Sequence, residues 1–299
     1  MEQLIQEWQK GFIGHDESLK MIYCALLNNN HVLLEGPPGV GKTQLANTIA
    51  NSLGLKFNRV QFTPDVLPSD ITGIKFFHPG TNQFEIKFGP VFTNILLADE
   101  INRATPKTQS SLLEAMQEQT VTIDDTTHKL PQPFFVIATQ NNIESNHGTY
   151  PLPEAQLDRF MIKVNITYPT IEEEKRIILK QFETIQNIID VQTLQNEQSQ
   201  SAMIHVDDDL NTYIAEILHQ TRNHINIMSG LSTRAGIQIR QMSQSYAYLS
   251  DRKFVTPDDI QAVLPYVALH KMKFSPSIRH FNEKIDCLND CLGAIHVPL

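Results

Sequence analysis

Two short stretches carry residue types able to do chemistry. Residues 36–43 read Gly-Pro-Pro-Gly-Val-Gly-Lys-Thr, and residues 99 and 100 are an adjacent Asp and Glu that end the apolar run ILLA. The first matches G-x-x-x-x-G-K-[ST], a loop whose backbone N–H groups turn inward around phosphate oxygens. On this pattern a nucleotide cradle is expected over Gly36, Pro37, Pro38, Gly39, Val40, Gly41, Lys42, Thr43 and Gln44. Lys42 is expected to reach the β- and γ-phosphates, and Thr43 to give its hydroxyl oxygen to Mg²⁺. The acids complete the same reading. Ionised carboxylates rarely end a buried strand for structural reasons alone, because desolvating an unpartnered charge is costly. Asp99 is therefore expected to hold the Mg²⁺ shell, mostly through water, and Glu100 to orient or polarise an attacking water. The plainer alternative is a pair of solvent-facing acids at a strand end. The expected ligands are ATP or ADP with Mg²⁺.

Both stretches need a strand to present them and a helix to follow. Residues 31–35 (HVLLE) are expected as a short buried strand and 42–53 as a helix, which puts the loop at the positive end of a helix dipole. Further strands are expected at 57–62, 94–98, 134–139 and 160–166. Strands alternating with helices predict a parallel sheet with helices on both faces. Thr105 as N-cap and Pro106 at the first helical position start the helix after the acids, with Leu112, Leu113 and Met116 on one face. Two stretches break the alternation. Residues 71–88 hold two β-like runs around Pro79-Gly80, and 121–130 alternate around Asp124-Asp125. Both are expected as hairpins inserted into an α/β core, each either a partner contact or a plain edge hairpin.

From Pro169 the pattern turns helical, over 172–188, 206–222, 232–249, 256–272 and 282–292. Thr256-Pro257-Asp258-Asp259 is a strong helix start, and Pro265 is expected to bend or shorten that helix. Residues 192–201 (QTLQNEQSQS) are polar and are expected as a mobile connection. The domain reading is an α/β core over 1–168, a helix and polar linker over 169–204, and an α-helical unit over 205–299.

The chain has 299 residues, 41% hydrophobic and 19% charged, which suits a globular protein of two domains. No run approaches the ~18 apolar residues of a membrane span. Met1-Glu2-Gln3-Leu4 lacks the basic start and apolar core of a signal peptide, so no leader is expected. The scattered cysteines, Cys24, Cys287 and Cys291, read as reduced thiols of a cytoplasmic protein. Cys287 and Cys291 are four residues apart with His280 and His296 nearby; they are either buried helix residues or a metal site. A formal charge of −9 with no long Lys/Arg run disfavours nucleic acid as the main partner.

Over nearly its whole length the chain resembles the MoxR-type AAA+ ATPases. The resemblance is carried by GPPGVGKT (36–43), QFTPDVLPSDITG (61–73), LLADEINRATPKTQSSLLEAMQE (96–118), FFVIATQN (134–141) and GTYPLPEAQLDRF (148–160). In the second half Thr221-Arg222, GLSTRA (230–235) and FVTPDDI (254–260) carry it. It implies an αβα AAA+ core with a parallel sheet, followed by a small all-α lid. The 71–88 hairpin would be the helix-2 insert and the 121–130 hairpin the pre-sensor-1 hairpin. It also implies residue roles. Asn141 matches sensor 1, at the γ-phosphate or the attacking water. Arg159 matches the arginine finger that reaches a neighbouring subunit's nucleotide, with Arg103 as its rival. Arg234 matches sensor 2, and Ile13 and Gly14 match the segment flanking the adenine. The sequence departs from the family at Asn142 and Thr233, where proline is usual, and at His15, where glutamine is common.

The resemblance implies a Mg²⁺-dependent ATP hydrolase that assembles as a homo-oligomeric ring, usually a hexamer, and remodels or activates protein clients, often with von Willebrand factor A-domain partners. Three other readings compete. A nucleic-acid motor or loader is disfavoured by the acidic balance. A small-molecule P-loop kinase is disfavoured by Glu100, which points to transfer to water. A nucleotide switch without turnover would keep binding and lack hydrolysis.

Overall fold

The computed structural model describes residues 2–141, 149–179 and 184–298; the departure at Asn142 and the start of the 148–160 motif lie outside the described residues. In chain order, α1 (Glu2–Gly11) and α2 (Asp16–Leu27) precede β1 (Val32–Glu35), α3 (Lys42–Ser52) and β2 (Phe57–Gln61). A short α4 (Pro68–Thr72) leads into the antiparallel pair β3 (Gly73–His78) and β4 (Gln83–Phe88). Next come β5 (Ile95–Asp99), a 3-10 turn at Ile101–Arg103, and α5 (Pro106–Glu118). A second antiparallel pair, β6 (Thr120–Ile123) and β7 (Thr126–Lys129), is followed by β8 (Phe135–Gln140), α6 (Glu154–Leu157), β9 (Ile162–Asn165) and α7 (Ile171–Leu179). The remaining elements are α8 (Val191–Ala202), α9 (Asp208–Asn223), β10 (Ile227–Ser229), α10 (Thr233–Leu249), α11 (Pro257–Ala268), β11 (Lys273–Phe274) and α12 (Phe281–Gly293). The two hairpins fall where the sequence places them.

The residues form two compact units. One holds 1–16, 31–159 and 164–191; the other holds 17–30, 160–163 and 192–299. The expected linker region is thus divided: 169–191 belongs with the first unit and 192–204 with the second.

The first unit is built on a sheet of order β2-β5-β8-β1-β9, in which the β2–β5, β5–β8 and β8–β1 pairs are parallel. Val32 to Leu34, Ile95 to Ala98 and Phe135 to Ala138 are all buried, the continuous apolar runs expected of strands covered on both faces. The order has a functional consequence. β8 lies between β1, which enters the phosphate loop, and β5, which ends in the acids. The residues at the end of β8 therefore separate loop from acids. α1 is fixed to α3 by Trp8, whose indole N–H donates to Ser52 Oγ at 2.6 Å.

One expected helix is shorter than its pattern. Residues 184–190 are not helical, although 172–188 read as one helix; 180–183 lie outside the described residues. The backbone N–H of Gln186 donates to Glu7 Oε1 at 2.7 Å and that of Ile188 to Ser52 O at 2.9 Å. These amides are taken by α1 and α3 rather than by carbonyls one turn back.

The second unit is mainly helical, with one small strand pair, β10–β11. Tyr213, Ile217, Ile239, Met242, Val263 and Leu264 are among its buried residues. The expected mobile connection at 192–201 is instead helix α8. Its apolar anchor is sparse, chiefly buried Leu194, so polar contacts hold it. Ser201 Oγ lies 2.8 Å from Ser245 Oγ, Gln198 Nε2 donates to Leu26 O at 3.0 Å, and the Tyr23 hydroxyl donates to Glu197. Gln is a fair helix former, and tertiary hydrogen bonds override what composition suggests. α11 contains Pro265 and ends at Ala268, before the expected 272. Cys24, Cys287 and Cys291 are buried on α2 and α12. Among the described residues no helix is long and apolar enough to cross a membrane.

Candidate nucleotide site

The phosphate loop is shaped by glycines at the positions that need them. Gly39 and Gly41 have φ of +84° and +88°, a region that side chains disfavour. Gly36 is required for closeness, since a Cβ there would stand 2.2 Å from Ile166 O. Gly41 is also the N-cap of α3 and makes no side-chain cap, so the first amides of that helix have no local acceptor. Phe12 lies against this turn, with its ring 3.2 Å from where a Gly41 Cβ would be. Ile13, which is buried, and Gly14, at φ +87°, follow Phe12 directly.

Lys42 is nearly buried and its ammonium donates to Gly36 O at 2.6 Å, Pro37 O at 2.9 Å and Asn141 Oδ1 at 3.0 Å. Burial pushes its pKa below the usual lysine value, against the opposing pull of Asp99, Glu100 and Glu35. Three acceptors for three N–H donors hold the ammonium at the mouth of the loop.

β5 ends at Asp99, and Glu100 takes up a left-handed backbone at φ 55° and ψ 48°. A non-glycine residue in that region is uncommon and is maintained only when its surroundings determine it. Here Thr139, at the end of β8, does so. Its Oγ1 accepts the Glu100 backbone N–H at 2.9 Å and donates to Asp99 Oδ1 at 2.6 Å. Thr43 Oγ1 donates to Asp99 Oδ2 at 3.3 Å. An alcohol and a carboxylate oxygen side by side form a hard-oxygen donor pair, which fits Mg²⁺.

Asn141 joins the two halves. Its Oδ1 accepts from Lys42, and its Nδ2 donates to Glu100 Oε1 at 2.9 Å. The other carboxylate oxygen, Oε2, accepts from Gln61 Nε2 at 3.0 Å and Arg103 Nη1 at 3.0 Å. Lys42, Thr43, Asp99, Glu100 and Asn141, separated by up to 99 residues in sequence, thus form one hydrogen-bonded cluster.

The arginines divide. Arg103 pairs with Glu100 inside the chain, whereas the Arg159 Nη1 donates to Leu113 O at 2.6 Å, away from the cluster. Arg234 is an exposed residue in the first turn of α10, in the second unit.

Three participants escaped the sequence reading: Arg59, Gln61 and Thr139. Arg59 Nη2 donates to Asp99 Oδ2 at 2.7 Å and to Gln61 Oε1 at 3.0 Å. Arg59 and Gln61 alternate on β2, and Gln61 lies directly across from Asp99 in the β2–β5 register. Alternation was visible in the sequence, but the adjacency of β2 and β5 was not.

Comparison with known proteins identifies the family. Residues 31–162 match the profile of the ATPase family associated with various cellular activities (AAA), and residues 219–286 match an AAA lid domain. The Bacillus subtilis protein YeaC, of uncharacterised function, is 41% identical over 301 residues, covering 99% of this chain and 94% of that protein. The chaperone MoxR1 of Mycobacterium tuberculosis is 40% identical over 284 residues, covering 91% of this chain and 75% of that protein. A crystal structure of a candidate ATPase from Cytophaga hutchinsonii superposes with a TM-score of 0.89 at 36% identity, over 100% of this chain and 94% of that one. With a phosphate loop, a parallel five-stranded core, a helical lid and relatives of this extent, the chain belongs to the MoxR-type AAA+ ATPases.

Proposed function

We propose that Lys42, Glu100 and Asn141 carry out ATP hydrolysis as a unit, and that the observation supporting this most directly is the double contact of Asn141 with the Lys42 ammonium and the Glu100 carboxylate. The uncapped start of α3 and the loop amides would receive the β- and γ-phosphates, with Lys42 exchanging its carbonyl acceptors for phosphate oxygens. A water oxygen bonds to the γ-phosphorus while the bond from that phosphorus to the bridging oxygen of ADP breaks. Glu100 accepts the proton the water gives up. Asn141 would hold Glu100 in line with the phosphate that Lys42 binds. Thr43 and Asp99 would hold Mg²⁺, which neutralises phosphate charge when bound.

Arg159 is proposed to act in trans, on the nucleotide of a neighbouring copy in a homo-oligomeric ring of hexamer type. Its own chain bonds it to Leu113 rather than to the cluster, in keeping with that role. The chaperone description of MoxR1 supports remodelling of protein clients, von Willebrand factor A-domain proteins being one partner class. The β3–β4 hairpin is suited to such contacts, with Ile74, Phe77, Phe84 and Phe88 exposed. A cytoplasmic location accompanies this reading.

Glu100→Gln tests the chemistry. ATP binding should persist while turnover falls by about 10²–10⁴-fold; unchanged turnover removes Glu100 as the base. Specific activity of the wild type should rise with protein concentration, and sedimentation in the same range should show assembly. Activity that stays constant in a monomer throughout contradicts the trans arginine.

A further inference from the structure

Asp99 already has a cation beside it. Arg59 Nη2 donates to Asp99 Oδ2 at 2.7 Å, and Thr43 Oγ1 lies 3.3 Å from that same oxygen. The other oxygen is held by Thr139. An ion held jointly by Thr43 and Asp99 would draw on Oδ2, the atom Arg59 bonds. The guanidinium also reaches the second acid through one amide, because Gln61 accepts from Arg59 and donates to Glu100. Which partner can yield is decided by exposure. The Arg59 side chain is 48% exposed and that of Asp99 10%, so the arginine can turn into water whereas the carboxylate cannot. A half-exposed ion pair of this kind contributes little to stability, so a purely structural role explains it poorly.

We propose that Arg59 is a positioning residue of the acidic pair, an internal counter-cation that a metal–nucleotide complex must displace from Asp99. On leaving, it also gives up Gln61, and so alters how Glu100 is held. This rests on the assignment of Thr43 and Asp99 to magnesium. With Arg59 in place, Asp99 is neutralised; nucleotide without metal is then tolerated, and magnesium must compete for the carboxylate. Without it, the bare carboxylate repels free triphosphate and attracts the ion.

The test is the affinity of the full-length protein for a fluorescent ATP analogue, measured with Mg²⁺ and with EDTA. The ratio of the two dissociation constants, EDTA over Mg²⁺, should rise about tenfold in Arg59→Gln and stay near wild type in Arg59→Lys, which keeps the charge. An unchanged ratio in a folded Arg59→Gln protein, where the wild type responds to magnesium, overturns the proposal and leaves the magnesium assignment standing. Equal weakening of both affinities also overturns it, since a structural role acts that way. A wild type and an Asp99→Asn variant that both ignore magnesium remove the metal assignment and this proposal together. A measurement without substitution covers a variant that fails to fold. In wild type with labelled guanidinium nitrogens, the Arg59 NMR signals should shift on adding Mg²⁺ with a non-hydrolysable ATP analogue; unmoved signals count against displacement.

Discussion

The start of α3 and the starts of the supporting helices follow opposite rules. α5 begins with Thr105, whose side chain accepts the Thr108 N–H; α9 begins with Asp207, which accepts from Asp209; α10 begins with Ser232, which accepts from Ala235 at 3.1 Å. α11 begins with a capping box in which Asp259 Oδ2 accepts the Thr256 N–H at 2.8 Å. α3 begins with Gly41 and has no such bond. These four helices satisfy amides of their first turn with side chains, while the helix at the phosphate loop has no such cap. The same contrast holds for charge. Asp259 is buried and paired with Arg252, whose pKa this hydrogen bond raises, so that pair is satisfied from within. Lys42 is buried against two carbonyls and an amide, and burial lowers its pKa despite the pull of Asp99, Glu100 and Glu35.

Four substitutions or conditions probe this contrast. Lys42→Ala should weaken ATP binding by about 100-fold, read by calorimetry, because a charge-assisted contact to phosphate is lost. Its melting temperature should change little, since the cost of burying the ammonium offsets its hydrogen bonds and the pull of the nearby acids; a drop of several degrees would put Lys42 among the structural groups. Asp259→Ala should do the reverse. It removes a cap and a pair whose arginine is partly exposed, and should cost about 2 kcal/mol in urea unfolding with ATP affinity unchanged. Asp207→Ala, which removes a cap alone, should cost about 1 kcal/mol. The smallest effect is in pH. Lys42 has a folded pKa below the usual 10.5, so in the window between the two values the unfolded chain binds the extra proton. Stability should therefore rise with pH there, and the wild type should gain relative to Lys42→Met in melts taken as pH approaches 10. A widening deficit would reverse the inferred burial penalty.

What was legible in the sequence was local. The loop, the strands on either side of it, Thr105-Pro106 and the Thr256 start were readable because glycine, proline and capping residues act within a few positions of themselves. The two hairpins were readable for the same reason. Helix α8 was not, because 192–201 are polar and what holds them in place is Leu194 together with hydrogen bonds to Ser245, Leu26 and Tyr23. The non-helical path of 184–190 was obscured in the same way, with Glu7 and Ser52 supplying acceptors for amides far along the chain.

By itself the sequence marked out which residues could do chemistry: a glycine-rich loop ending in Lys-Thr and two adjacent acids at the end of an apolar run. Only the tertiary structure decided how they are wired. Sheet order put β8 between loop and acids, so Asn141 could bond to both, and put β2 beside β5, so Arg59 could reach Asp99. The physical reason is range. Turn and cap preferences are set by neighbouring dihedrals, whereas strand order is set by burial of whole faces, which no short stretch of sequence encodes.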